Sequence, residues 1–222
     1  MHAHNSRSID DSSGSVRSLY FTGPHIMNSV CVFCGSAAGT SPVFRDLAEQ
    51  LGTELAQRKL RLVYGGGRVG LMGVVADAVL AAGGEAIGFM PRSLAEKEIA
   101  HVGLTELHVN ETMHERKAAM EQHADAFIAL PGGFGTLDEL CEILTWSTLG
   151  IHRKPVGLLD VDGFFAQLTA FFDHATETGF IRPEYRGLVL EDVSPAGLLD
   201  QMASWQPTVA PKWTTLTEAP RP

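Results

Sequence analysis

Short, mostly apolar runs alternate along the chain with longer segments in which apolar residues recur at helical spacing. Runs at residues 29–34, 60–64 and 126–130 are typical of strands buried on both faces of a sheet. Between them, Phe44 and Leu51 belong to an amphipathic segment with one apolar side. This alternation predicts an α/β fold with right-handed crossovers, in which helices cover both faces of a parallel sheet.

The same pattern gives approximate boundaries for each element. The predicted strands cover residues 29–34, 60–64, 85–90, 107–109, 126–130 and 156–159, and a short apolar stretch follows at residues 188–190. The predicted helices cover residues 42–58, 71–82, 113–123, 137–149, 164–178 and 195–203, and residues 91–104 form a long connection. Two helix starts carry local signals, namely Ser41 before Pro42 and the capping box of Thr112 and Glu115.

The two ends of the chain lack such periodicity. Residues 1–27 are rich in Ser, His, Asp and Gly and have no apolar stretch of the signal-peptide kind, which predicts a disordered extension or an expression remnant. Residues 28–205 are predicted to form a single α/β domain, and residues 206–222, rich in Pro and Thr, a loose tail. A chain of 222 residues, 45% of them hydrophobic, is long enough for one sizeable core.

Charge and cysteine content narrow the classes of partner and compartment. A net charge of −9 argues against a nucleic-acid polymer or an anionic membrane as partner, whereas local donors could still hold a mononucleotide. No stretch approaches the roughly 18 apolar residues of a membrane helix. Three cysteines favour a reducing cytoplasm. Cys31 and Cys34 form a C-x-x-C in a strand without a second ligand pair, so core thiols are favoured over a zinc site.

The stretch P-G-G-F-G-T-L-D-E at residues 131–139 lies between a buried strand and a helix. A glycine turn at a helix start presents backbone amides and the positive end of the helix dipole, which together suit a phosphate. Gly132, Gly133, Phe134, Gly135 and Thr136 would form this cradle. An alternative interpretation is that Thr136 and Glu139 are simply a capping box, although a cap does not need three glycines.

Other glycine turns follow the first two predicted strands. Gly35 and Ser36 follow the first, and Gly65, Gly66 and Gly67 follow the second. Because parallel strands place ligands at their carboxyl ends, these turns are expected to line one cleft together with the central stretch. Gly65-x-Gly67-x-x-Gly70 also matches a dinucleotide fingerprint, but Glu85 lies at the wrong end of the next strand, which disfavours NAD.

The segment after Thr112 adds charged residues. Met113, Arg116, Lys117 and Met120 share one helix face by their spacing. Spacing alone leaves open whether the two cations are solvated or turned into the cleft.

Three motifs together resemble the LOG ("lonely guy") family, whose members have long been mislabelled lysine decarboxylases. They are Y-G-G-G-x-x-G-L-M-G at residues 64–73, M-H-E-R-K at 113–117 and the central stretch at 131–139. The similarity extends over residues 29–181.

This resemblance implies a Rossmann-like fold, no cofactor, and a homodimer with active sites near the subunit interface. It implies hydrolysis of the N-glycosidic bond of adenosine 5′-monophosphates, including N6-substituted ones. It also assigns Arg116 and Glu139 as the catalytic pair. Further nucleotide contacts would come from Glu98, Met113, Lys117 and Thr145, and from the cradle residues of the central stretch.

Rival functions require groups that the sequence does not provide. Lysine decarboxylation needs pyridoxal phosphate on a lysine, and none of the five lysines lies in a recognisable cofactor context. No H-E-x-x-H motif supports a metal hydrolase. A non-catalytic nucleotide or cofactor carrier on the same scaffold is the remaining alternative, because it would need the glycine cradle but not Arg116 with Glu139.

Overall fold

The strands in the described part of the chain form one sheet in which every neighbouring pair runs parallel. The structure is a computed structural model and describes residues 26–95 and 100–206. Its strands are β1 (Ser29–Phe33), β2 (Arg61–Tyr64), β3 (Ala86–Pro91), β4 (Glu106–Asn110), β5 (Ala126–Ala129), β6 (Val156–Leu159) and β7 (Val189–Asp192). Their spatial order is β4-β3-β2-β1-β5-β6-β7, so the predicted parallel α/β sheet is confirmed.

Helices connect the strands and cover the sheet. The helices in the described part of the chain are α1 (Pro42–Gln57), α2 (Gly70–Ala81), α3 (Arg92–Ala95), α4 (Met113–His123), α5 (Phe134–Leu149), α6 (Ala166–Glu177), α7 (Pro183–Arg186) and α8 (Pro195–Ser204). Neither α3 nor α7 was predicted, because four residues are too few to show a helical period.

Two apolar cores lie on opposite faces of the sheet. On one face, α1, α2 and α8 contribute buried side chains such as Leu51, Val75 and Leu198. On the other face, α4 and α5 contribute Met120 and Leu140. Strands between two such cores must be apolar on both sides, which explains their unbroken apolar runs in the sequence.

The order in which strands are added to the sheet reverses at β1, with β2 on one side of it and β5 on the other. The chain leaves β1 toward α1 on one face, whereas it leaves the neighbouring β5 toward α5 on the other face. Loops that diverge in this way open a crevice at the carboxyl ends of the two strands, where open α/β sheets bind ligands. The glycine turns after β1 and β5 therefore lie at the expected position for a site.

The local signals at helix starts have different outcomes. The predicted capping box at α4 is confirmed. The Thr112 side chain accepts a hydrogen bond from the Glu115 amide, and the Glu115 side chain accepts one from the Thr112 amide. Ser41 precedes Pro42 as the N-cap of α1 but makes no side-chain cap bond. The alternative capping box of the central stretch is wrong, because α5 begins at Phe134 and Thr136 lies inside its first turn.

Cys31 and Cys34 are both free and buried, as expected of core thiols. Within the described ranges, no helix is long and apolar enough to cross a membrane. The predictions for residues 1–25 and 207–222, and the candidate contact Glu98, lie outside the described residues.

Candidate active site

Three glycine turns contact one another at the carboxyl edge of the sheet. The Gly35 amide donates to the Pro131 carbonyl at 3.1 Å, and the Leu71 amide donates to the Gly35 carbonyl at 3.0 Å. A Cβ on Gly70 would lie 2.2 Å from the carbonyl carbon of Ser36, and Gly70 also has a positive φ of 61°. Glycine is therefore needed there for both space and conformation. These contacts join the turns after β1, β2 and β5 into one wall.

A cleft of about 280 Å³ lies between this wall and helix α4. Most of the predicted site residues line it, namely Gly35, Ser36, Gly65, Gly67, Met113, Arg116, Gly133, Phe134, Gly135, Thr136 and Glu139. The structure thus brings the three turns and the Arg116 and Glu139 side chains to one place.

The first turn of α5 forms one end of the cleft. Gly133 is the N-cap, and the Leu137 amide donates to its carbonyl at 3.1 Å. The preceding amides of Phe134, Gly135 and Thr136 belong to the helix end, where the geometry provides no intrahelical acceptor. Apart from the adjacent backbone, neither Gly133 nor Gly135 has an atom within 4 Å of where a Cβ would stand, and both glycines line the cleft. The arrangement suits an anionic group.

Gly132 has a different place from its neighbours. A Cβ there would lie 2.1 Å from Thr136 Oγ1 and 2.9 Å from the Gly35 amide nitrogen. Gly132 does not itself line the cleft. It allows the turn after β5 to pack against both the first turn of α5 and the turn after β1.

Arg116 is turned inward from α4, which resolves the alternative that spacing had left open. Its Nε donates to the Phe89 carbonyl oxygen at 2.8 Å, and its Nη1 lies 3.4 Å from Met113 Sδ. The same Nη1 donates to Glu139 Oε1 at 2.7 Å. Arg116 is buried, with 8% of its surface exposed, so this ion pair lies largely out of bulk water. One amino group of Arg116, Nη2, and one carboxylate oxygen of Glu139, Oε2, form no hydrogen bond with the described residues.

Burial governs the electrostatics of the cleft. It raises the pKa of Glu139 above the usual value for a glutamate, and the Arg116 guanidinium partly opposes that rise. Burial, followed by the Glu139 carboxylate, raises the pKa of Cys34, which favours the neutral thiol over the nucleophilic thiolate.

Three other predicted contacts do not line the cleft. Lys117 Nζ lies 3.1 Å from Asp138 Oδ2 and 3.0 Å from Glu142 Oε2, so it joins α4 to α5 beside the catalytic candidates. Thr145 lines a separate cavity of about 510 Å³ between α5 and the α6–α7 region. The His101 amide donates a hydrogen bond to the Gly66 carbonyl oxygen at 2.9 Å.

Sequence reasoning missed several cleft residues. Cys34, Met72, Met90 and Leu94 add a largely apolar lining. Met72 belongs to a quoted motif, and Cys34 and Met90 lie at strand ends, so strand position could have indicated them. Leu94 lies in the short helix α3, which has no sequence signal.

Neither the NAD nor the metal alternative gains support from the geometry. Glu85 forms an ion pair with Arg61 at 2.9 Å, at the amino ends of the strands and away from the cleft. Among the described residues, no three His, Cys, Asp or Glu side chains are grouped to hold a metal ion.

Sequence comparison finds close relatives among named enzymes. A family model described as "Possible lysine decarboxylase" matches residues 72–202. The chain is 48% identical over 178 residues to cytokinin riboside 5′-monophosphate phosphoribohydrolase LOG7 of Arabidopsis thaliana, covering 80% of this chain and 82% of that protein. It is 49% identical over 176 residues to a probable enzyme of the same name, LOGL1, of Oryza sativa, covering 79% of each chain.

Solved structures share the fold at lower identity. The molybdenum cofactor binding protein of Rippkaea orientalis superposes with a TM-score of 0.62 and 23% identity, over 81% of this chain and 97% of that one. The Moco carrier protein of Chlamydomonas reinhardtii gives a TM-score of 0.60 and 22% identity, over 79% and 94% of the two chains. At such identity, these likenesses concern the fold alone.

Proposed function

The chain belongs to the LOG family of cytokinin riboside 5′-monophosphate phosphoribohydrolases, and on this premise we propose how its cleft hydrolyses adenosine 5′-monophosphates. The bond between C1′ of the ribose and the base nitrogen breaks, and water adds across it. The products are the free base, adenine or an N6-substituted cytokinin, and ribose 5-phosphate. The observation that carries the proposal is the 2.7 Å contact between Arg116 and Glu139 beside the amino end of α5.

The substrate phosphate is proposed to lie against the first turn of α5. The amides of Phe134, Gly135 and Thr136 supply donors there, and the helix dipole adds a favourable potential. Ser36 lines the same cleft and has an exposed side chain. Anchoring the phosphate at this end would hold the ribose against Arg116 and Glu139, so that binding energy serves positioning.

Glu139 is proposed to act on the reacting carbon. Its Oε2, which has no hydrogen-bond partner among the described residues, would steady the positive charge that develops on the ribose or orient the attacking water. Arg116 binds the other carboxylate oxygen and favours the ionised form of Glu139 against the effect of burial.

The remaining predicted contacts stay part of the proposal. Lys117 and Glu98 are proposed as nucleotide contacts, Lys117 with its ammonium now held by Asp138 and Glu142. Thr145 is proposed to contact nucleotide in a homodimer with active sites near the subunit interface. The exposed Phe134, 92% accessible beside the cleft, favours such an interface. Light scattering on the purified protein would test for two copies.

The proposal places the enzyme in the cytoplasm, which three free thiols favour. It takes residues 28–205 as the hydrolase domain, a range that contains the family match at residues 72–202.

The two rival functions fit the cleft less well. A Schiff-base lysine would have to reach the cleft, and no lysine is among the described residues that line it. A carrier would need the α5 amides, but it would have no use for a buried arginine and carboxylate facing the bound nucleotide. The carrier proteins that share the fold are too distant to transfer their ligand.

One assay tests the function. AMP, isopentenyladenosine 5′-monophosphate and adenosine are incubated separately with the protein, and free base is measured by chromatography. Both monophosphates should release base. Adenosine should show a much lower kcat and a higher KM, because phosphate binding serves positioning. If neither monophosphate releases base, the proposed hydrolase activity is refuted. Equal turnover of AMP and adenosine would refute the proposed phosphate-binding role of the first turn of α5.

A further inference from the structure

Arg116 is enclosed by groups from three other parts of the fold. The Phe89 carbonyl in β3 accepts from Nε, and Glu139 in α5 accepts from Nη1. The third neighbour is the turn after β2, where Gly65 lies against the remaining amino group, Nη2. Because Nε and Nη1 are both fixed by hydrogen bonds, the guanidinium plane has little freedom to tilt away from the turn.

The contact with Gly65 depends on its missing side chain. A Cβ at this position would lie 2.5 Å from Arg116 Nη2 and 3.7 Å from Cζ, inside van der Waals contact for the first atom. Gly65 does not have the positive φ of its neighbour Gly66, which is 75°. No positive φ therefore excludes alanine there, and the closest obstacle to a side chain is the guanidinium, followed by Met72 Sδ at 3.2 Å.

We infer that Gly65 is a positioning residue, whose missing Cβ leaves the space in which Arg116 aligns with Glu139, and that it is not primarily a nucleotide contact. This inference rests on the proposed function, since it concerns the same pair. A methyl group at position 65 would be accommodated by moving the end of the Arg116 side chain rather than the backbone of the turn. The same movement would break the 2.7 Å contact with Glu139.

Displacing Arg116 would change the pKa of Glu139 in a definite direction. Burial raises its pKa, and Arg116 is the largest influence that lowers it. The other charged groups near Glu139 are Asp138, which raises its pKa, and Lys117, which lowers it. The neighbouring thiol of Cys34 stays neutral because its own pKa is raised by burial. Moving Arg116 away should therefore raise the pKa of Glu139.

The test is the pH profile of kcat for AMP in Gly65→Ala. We expect kcat to fall at least about 10-fold and its acidic limb to move to higher pH by about one unit or more, as for loss of a neighbouring opposite charge. A crystal structure of the variant should show Arg116 Nη1 and Glu139 Oε1 separated. Wild-type protein without activity would refute the proposed function instead, so the two failures are distinguishable.

Two other glycines provide comparisons. A Cβ on Gly67 would meet only Met72, at 2.8 Å from Cε, and Gly65 also borders Met72 at 3.2 Å from Sδ. Gly67→Ala therefore reproduces the disturbance of Met72 without touching Arg116, and its acidic limb should stay at the wild-type pH. Gly187→Ala, remote from the cleft and with its nearest neighbour at 3.6 Å, should match wild type throughout.

A double-mutant cycle tests whether Gly65→Ala lowers kcat by displacing Arg116. Lysine has no Nη2, so Gly65→Ala should lower kcat for AMP by a much smaller factor in an Arg116→Lys background than in wild type. If Gly65→Ala alone fails to fold, recovery of folding in the double variant supports the inference, and failure of both variants overturns it. The inference is also overturned by an unshifted acidic limb in Gly65→Ala, by an equal shift in Gly67→Ala, or by additive losses in the cycle.

Discussion

Arg116 Nη1 lies 2.7 Å from Glu139 Oε1, and this contact joins the helix that follows β4 to the helix that follows β5. Both side chains are mostly buried, so breaking the pair leaves a charge without its partner in a poorly solvated place. The pair borders the same cleft as the free amides of α5. Its two members can therefore be tested separately for chemistry and for structure.

Glu139→Gln should lower kcat for AMP by roughly 10²-fold or more, because the amide keeps the shape but removes the charge that acts on the ribose. Helix α5 does not depend on a cap from this side chain, since its N-cap is Gly133. Circular dichroism should therefore show a folded protein, and steady-state kinetics should show the loss. Glu49→Gln, an exposed change on α1, is the control. A fully active Glu139→Gln protein would contradict the mechanism.

Arg116→Lys should also be strongly impaired, although it keeps the positive charge. An ammonium cannot at once reach the Phe89 carbonyl and Glu139 with the planar geometry of a guanidinium. Arg45→Lys is the matched control, because Arg45 is an exposed arginine whose ion pair among the described residues is with Glu49, one turn away on α1. Comparable AMP hydrolysis by both variants would mean that the fork geometry of Arg116 is not needed.

Much of the fold could be predicted because burial on two faces leaves a direct mark in the sequence. Central parallel strands that are covered on both faces favour apolar residues at every position, and the runs at β1 and β5 lie within a residue of the prediction. The cleft was predicted from the same rule, since glycine turns at the carboxyl ends of parallel strands must share one edge.

The parts that could not be predicted depend on contacts distant in sequence. Thr136 and Glu139 imitate a capping box, and nothing local reveals that the helix has already begun at Phe134. The inward turn of Arg116 depends on a carbonyl of Phe89, a backbone group present in every residue and therefore invisible to pattern. The role of Gly65 depends on a guanidinium 51 positions later, which spacing alone does not bring near.

Thr112→Ala should destabilise the protein by about 1 kcal/mol, because it removes a side-chain bond to the Glu115 amide at the start of α4. Ser41→Ala is the matched control, since Ser41 occupies the same position at α1 without making a cap bond. Urea denaturation of the two variants gives the comparison. Equal losses would show that the α4 cap bond contributes nothing beyond the preference of the position.

His152 lies between α5 and β6 in the sequence and is buried, with 6% of its surface exposed. Its Nε2 lies 2.9 Å from the Ile143 carbonyl oxygen, and the Lys154 amide donates to its Nδ1 at 3.2 Å. These two bonds fit a neutral ring that carries its proton on Nε2. A second proton on Nδ1 would face the Lys154 amide, and the charged ring would have to remain out of water.

Burial lowers the pKa of His152 below its usual value of 6.5. A pKa depressed in the folded state means that the unfolded chain takes up the proton first, so this contribution to stability is complete above about pH 6.5 and is lost as the pH falls through the folded pKa. Denaturation by urea at several pH values should show this decline in wild type. His152→Gln retains a donor and an acceptor but has no proton to gain, and it should lack that part of the decline. His174→Gln, which alters an exposed histidine, should keep it. A His152 ring that titrates at or above 6.5 in an NMR titration of the folded protein would contradict the prediction.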